Sequence, residues 1–180
     1  KEISKNIEVK NKLILSVAAG IKICSIENWL GQVTAIVRVM PNMPALIQAG
    51  ASALYANSAT LDKQKNAAET IMRSVGVATW LDSEEQMDAV TALSGSGPAY
   101  FFYFMELMES HAIEMGLNKE DAKLLTIETA LGAAKMALLS SFDLKTLRKQ
   151  VTSTGGTTEK ALNIFMEGKL DELVNNAMDA

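Results

Sequence analysis

The chain contains a single cysteine, Cys24, and a single histidine, His111. One cysteine cannot close a disulfide within the chain, and such usage fits a reducing, cytoplasmic setting. Cys24 itself reads as a small core residue. A His-based metal site or a Ser-His-Asp triad would have to use His111, and no cysteine or carboxylate spacing marks a metal cluster, so no metal is expected. Basic runs are missing as well: 17 Lys and Arg stand against 21 Asp and Glu, a net charge of −4. Neutralising phosphates requires clustered cations, so no nucleic-acid partner is expected. The longest apolar stretches, residues 13–19 and 99–105, fall well short of the ~20 residues of a spanning helix, and no signal-peptide pattern is present; no membrane partner is expected. The first residues are Lys1-Glu2-Ile3 rather than a methionine, and a buried-type strand follows almost at once, as in a piece of a longer protein.

What is present is apolar mass. With 180 residues, 48% of them hydrophobic, the chain can fill one generous core or two modest ones. LILSVAA at residues 13–19 predicts a strand covered on both faces and ends at Gly20. A short helix is expected over residues 25–30, with Ser25 as its N-cap and Gly31 after it. TAIVRVM at residues 34–40 predicts a strand broken by Pro41-Asn42-Met43-Pro44, and residues 51–55 a third. Ala67, Ala68, Ile71, Met72 and Val75 fall at helical spacing within residues 62–75, closed by Gly76; residues 77–81 predict one more strand. From Ser83 onward the β signal fades. Pro98 suits the first turn of a helix stopping at Gly116, and Asn118 caps a second helix rich in alanine. Further helices begin near Thr157 and at the end of the chain. The fold class expected is α/β followed by all-α, with domains over residues 1–81 and 82–180.

Two stretches carry chemistry. VTSTGGTTEKAL, residues 151–162, sets a Gly155-Gly156 pair and several hydroxyls before a helix. The first N–H groups of a helix have no intrahelical partner and lie at the positive end of its dipole, and glycines admit close backbone approach. That is a seat for a carboxylate or phosphate; an ordinary helix cap is the alternative. LSGSGPAY, residues 93–100, contains G-x-G, but Tyr100 stands where a dinucleotide fingerprint needs glycine, so it reads as a tight turn with close backbone packing. The aromatics of residues 100–104 read as helix core.

TALSGSGPAYFFYFMELM, MGLNKEDAKLLTIETALGAAKM and VTSTGGTTEKAL resemble, in order and spacing, pyrroline-5-carboxylate reductase, which catalyses the last step of proline synthesis. SVAAGIKICSIENWL and RVMPNMPALIQAGASALYAN resemble the closing strands of its nucleotide-binding domain. The resemblance implies the C-terminal part of a Rossmann-type NAD(P)-binding domain followed by a helical dimerisation domain. It implies hydride transfer from NADPH or NADH to a cyclic imine carboxylate, and a homodimer formed through the helical domain that can build a decamer. By the same resemblance Val17, Ala18, Ala19, Gly20 and Asn42 line the cofactor, with Gln150 near it. Glu84 matches a position contacting bound proline and favouring the cationic imine. Ser153, Gly155, Gly156, Thr157 and Thr158 hold the substrate carboxylate, and Thr158, nearest the ring nitrogen, carries the catalytic role.

Two rivals remain at this stage. A β-hydroxyacid dehydrogenase would need a lysine four residues after Gly97, where Phe101 stands, and Lys135 reads as solvent-facing. A non-catalytic helical dimerisation fragment would explain the small-residue helices and the lack of a G-x-G-x-x-G loop.

Overall fold

A computed structural model describes residues 12–31 and 33–180; Lys1-Glu2-Ile3 lies outside the described residues. The chain forms two compact units, Lys1–Ala99 and Tyr100–Ala180.

The first unit is built on a sheet in the order β1 (Leu13–Ser16), β2 (Ala35–Met40), β3 (Gly50–Ala56), β4 (Gly76–Trp80). The β1–β2 and β3–β4 pairs are parallel and the β2–β3 pair is antiparallel. Successive strand residues point to opposite faces, and the sequence exploits this. Leu13, Leu15, Val37, Val39, Leu54 and Ala56 share one face with Ala68 and Met72 of α2 (Asp62–Arg73). Ile14, Ile36 and Tyr55 share the other with Ile23 and Ile26 of α1 (Ile23–Leu30). One helix thus covers each face, as an α/β sheet requires. Ile36, Val37, Val39 and Leu54 are each at most 2% exposed, and burying such a side chain contributes about 1.5–3 kcal/mol.

Several boundaries differ from expectation. The first strand stops at Ser16, because the chain turns at Gly20 (φ 72°), with the Ile21 N–H reaching the Ala18 carbonyl at 3.5 Å. Val17, Ala18 and Ala19 therefore lie outside the sheet. α1 begins at Ile23 rather than Ser25. Gly76 does not close α2, which ends at Arg73; it opens β4 at φ 149° against Gly50. Cys24 is exposed rather than in the core, because α1 buries Ile23 and Ile26 instead. The turn near Leu93 is one wide helical turn following α3 (Gln86–Val90), with the Ser96 N–H donating to the Thr91 carbonyl at 2.8 Å. The close packing expected there is present: a Cβ on Gly95 would lie 2.5 Å from Met40 Cε.

The remaining helices are α4 (Gly97–Glu114), α5 (Lys119–Leu139), α6 (Leu144–Gln150), α7 (Thr157–Glu167) and α8 (Leu170–Asp179). Asn118 caps α5 as expected, its Oδ1 accepting the Asp121 N–H at 2.9 Å. Phe104 of α4 meets Phe165 of α7 with ring centroids 6.0 Å apart and planes tilted by 51°, a favourable offset arrangement. The aromatics of residues 100–104 are nonetheless not core within this chain: Phe101 is 70% exposed, Phe102 64% and Phe104 itself 42%. The first half of α4, residues 97–105, carries no charged residue, and most of its aromatics stay exposed within one chain. Lys135 is exposed, as expected. Among the described residues no helix is long and apolar enough to cross a membrane.

Candidate functional site

In the first unit, the parallel pairing of Ser16 with Arg38 brings the carboxyl ends of β1 and β2 to one edge of the sheet. Val17, Ala18, Ala19 and Gly20 leave this edge exposed, and the Pro41–Pro44 turn leaves beside them. In open α/β sheets, ligands bind outside the carboxyl ends of strands. Asn42 pins its turn with both ends of its side chain: Oδ1 accepts the Ala51 N–H at 2.9 Å, and Nδ2 donates to the Ser94 carbonyl at 3.0 Å. An amide carries two donor hydrogens and two acceptor lone pairs, so half of its capacity is left for a ligand.

Glu84 has partners that the sequence did not announce. Its Oε1 accepts from Arg38 Nη1 at 3.0 Å and from the Ile23 N–H at 2.8 Å. Arg38 is a charged residue inside the central strand, with its side chain 6% exposed; that of Glu84 is 18% exposed. This pair explains why α1 starts at Ile23. Lys22 supplies no side-chain cap, and the carboxylate of Glu84 takes that place from 61 residues away.

In the second unit, Gln150 is the exposed last residue of α6, and Ser153, Gly155, Gly156, Thr157 and Thr158 follow in the connection to α7. Gly155 adopts φ 75°, which favours glycine. Its N–H donates to Glu159 Oε2 at 2.7 Å, and the Gly156 N–H donates to the Ser153 carbonyl at 3.0 Å. The amides of both glycines are therefore engaged within the loop. What α7 presents is the first-turn amides of Thr157 and Thr158, which lack intrahelical partners, with the hydroxyls of Ser153, Thr157 and Thr158 beside them. Gly156 is glycine for a steric reason: a Cβ there would lie 2.6 Å from Ser153 Oγ. Residues 153, 155 and 156 set the path of the loop that leads into residues 157 and 158. Glu159, missed by the sequence reading, has a local signal: an acid at the third position of a helix reaching back over its start. Arg148, Lys149 and Thr152 share with Glu159 a neighbouring cavity of ≈ 260 Å³.

α6 sets the approach to this loop. The Thr146 side chain, followed by the Thr146 N–H at 2.7 Å, holds the Asp143 carboxyl below its ordinary range. A lowered folded value means the cap is complete above the unfolded aspartate value of about 3.9 and is lost as pH falls through the lower folded value. Amide protection in α6 is expected to drop over that acid window, and Asp143→Asn, an equally good cap, should remove this pH dependence. Equal pH dependence in the variant would exclude the carboxylate as the source.

Among the described residues no group of three or more His, Cys, Asp or Glu is placed to hold a metal. Fold and site together define a class: the C-terminal part of a Rossmann-type domain followed by a helical domain. The family described as pyrroline-5-carboxylate reductase dimerisation matches residues 84–180. The pyrroline-5-carboxylate reductase of Pseudomonas aeruginosa is 50% identical over 169 residues, covering 94% of this chain and 62% of that protein. A solved structure of a pyrroline-5-carboxylate reductase from Coxiella burnetii superposes with a TM-score of 0.92 at 46% identity, covering 99% of this chain and 66% of that one. The Plasmodium falciparum pyrroline carboxylate reductase with NADP bound gives 0.89 at 30% identity, covering 95% and 68%. The chain belongs to the pyrroline-5-carboxylate reductase family, and it spans a little under two thirds of the length of the Pseudomonas relative.

Proposed function

We propose that the complete protein reduces 1-pyrroline-5-carboxylate to L-proline with NADPH or NADH, the last step of proline biosynthesis, in the cytoplasm. The observation that carries this reading is the glycine-shaped loop at the start of α7, inside the segment that matches the family. The bound NADP of the Plasmodium relative supports a nicotinamide cofactor. The residues present fit one: residues 17–20 form an exposed turn, and no heavy atom lies within 4 Å of where a Gly20 Cβ would stand. When bound, the nicotinamide supplies the hydride.

This chain's residues do the positioning, which contributes up to ~7–11 kcal/mol in favourable cases. Val17, Ala18, Ala19, Gly20, Asn42 and Gln150 orient the cofactor. The Thr157 and Thr158 amides hold the substrate carboxylate, aided by the Ser153 hydroxyl, while Gly155 and Gly156 set the loop's path. The Thr158 hydroxyl hydrogen-bonds the ring nitrogen; a protonated imine is already electrophilic, so no strong acid is needed. Glu84, which the resemblance sets near bound proline, enters this reading through its contacts to Arg38 and the Ile23 N–H.

The family match beginning at residue 84 supports a functional boundary at residues 81/82. Exposed α4 and α5 side chains such as Phe101, Leu138 and Leu139 support a homodimer through the helices, with a decamer as the larger assembly. The 180 residues contain no G-x-G-x-x-G, so this stretch alone is expected to be inactive. The direct test is oxidation of NADPH or NADH, followed at the nicotinamide absorbance, by the complete protein with the imine; no turnover with either would reject the reading. Thr158→Ala is expected to lower kcat/KM by about tenfold or more, the worth of one hydrogen bond to a charged group. An unchanged value would remove Thr158 from catalysis.

A further inference from the structure

Arg38–Glu84 is the most buried ion pair among the described residues. It lies between the two segments that form the cofactor-facing edge. Ile23, whose N–H meets Glu84 Oε1 at 2.8 Å, is three residues after Gly20. Arg38 is four residues before Asn42, and its strand position pairs with Ser16 on one side and Tyr55 on the other. One carboxylate oxygen therefore ties the turn after β1 to the strand leading into the Pro41–Pro44 turn. With two donors, Oε1 has both lone pairs engaged, so this oxygen is not free for a ligand. Ile23 and Ile26 are buried against Ile36, so α1 is fixed sideways by packing. Its start along the chain depends on the first-turn amide that Glu84 accepts, since no local side chain caps it.

We infer that Glu84, held by Arg38, is a positioning residue for the cofactor: it acts through the Ile23 amide on the turn at residues 17–20. It thus affects the reaction without touching the substrate. This rests on the proposed reading of that turn as the cofactor edge, and it gives Glu84 a defined route of action within it.

The test uses the complete protein with Glu84→Ala, Glu84→Gln and Arg38→Lys. Measured quantities are amide exchange over residues 21–24 without cofactor, NADPH affinity by fluorescence titration, both KM values, and the thermal midpoint. Glu84→Ala is expected to raise exchange over residues 21–24 and weaken NADPH binding by about tenfold, with imine KM changed less than about twofold. Glu84→Gln, which keeps an acceptor for the Ile23 N–H, should restore part of both, and Arg38→Lys should give the same signature more weakly. Should Glu84→Ala not fold, these two milder variants still decide. Asn57→Ser, which removes a side chain bonded to Glu27 and Thr34, is the control: it should lower the midpoint and leave NADPH affinity unchanged. An imine KM rising as much as the NADPH constant would overturn the inference in favour of a substrate contact. A lowered midpoint with unchanged NADPH affinity would reduce the pair to a structural one. If the wild-type protein binds neither NADPH nor NADH, it is the proposed function that fails; exchange over residues 21–24 then judges the Glu84 tether alone, and unchanged exchange would overturn it.

Discussion

Gly76→Ala is expected to destabilise the first unit by about 4 kcal/mol or more, combining backbone strain with a steric conflict that no side-chain rotation relieves. A Cβ at residue 76 would lie 2.0, 2.5 and 2.6 Å from the O, N and C atoms of Gly50. All three belong to backbone, and the Gly50 N–H is itself bonded to the Val75 carbonyl at 2.9 Å. The position also holds φ at 149°, where residues with a Cβ rarely go. Relief would require β3 and β4 to separate at their start, and those strands carry Leu54 and Ala78 of the core. Set against total stabilities of about 5–15 kcal/mol, such a loss leaves a substantial unfolded fraction. Urea denaturation of the variant beside the parent measures it. A change below about 1 kcal/mol, the usual size for an ordinary site, would mean that the two paired strands do not approach so closely at Gly50 and Gly76.

Gly156→Ala is expected to act the other way round, sparing stability and damaging catalysis. Its backbone, φ −78° and ψ 172°, is open to any residue, so strain is not the issue. The added Cβ would meet Ser153 Oγ at 2.6 Å and the Ser153 carbonyl at 3.0 Å. The serine hydroxyl can rotate away, so folding loses little, and a glycine-to-alanine change at a helix N-cap costs on the order of 1 kcal/mol. The displaced hydroxyl and the shifted entry to α7 belong to the proposed carboxylate seat. In the complete protein kcat/KM for the imine should fall by about 100-fold, the scale of a 1 Å misplacement at a reacting group. The cofactor KM should stay within about twofold if the loop holds only the substrate. Parallel rises in both KM values would show that the loop serves the cofactor as well, and an unaltered kcat/KM would take residues 153 and 156 out of the site.

Local chemistry was readable from the residues wherever the deciding partner lay within a few positions. Asn118 caps α5 through Asp121, and Gly31 ends α1 at φ 68°. The alternation of β2 places Val37 and Val39 on one face and Ile36 on the other, as a period of two requires. α6 was missed because seven residues are too few for a periodic signal, although Asp143 directly before it is a recognisable cap. The candidate loop was legible in position and residue type. Which of its amides stay free was not, since that depends on Glu159 and the Ser153 carbonyl closing on the two glycines.

By itself the sequence determined the α/β-then-helical order and the segments that would carry a site, because periodicity, caps and glycine pairs are local properties; the family rested on the resemblance of whole blocks such as VTSTGGTTEKAL. Only the tertiary structure decided where α1 begins, why Gly76 must be glycine, and what Arg38 does inside a buried strand. Each of those depends on an atom brought close by folding from far along the chain: the Glu84 carboxylate for the Ile23 amide and Arg38, and the Gly50 backbone for Gly76. A buried charge needs a partner and a backbone this close to its paired strand needs space, and neither neighbour is visible until the sheet is assembled.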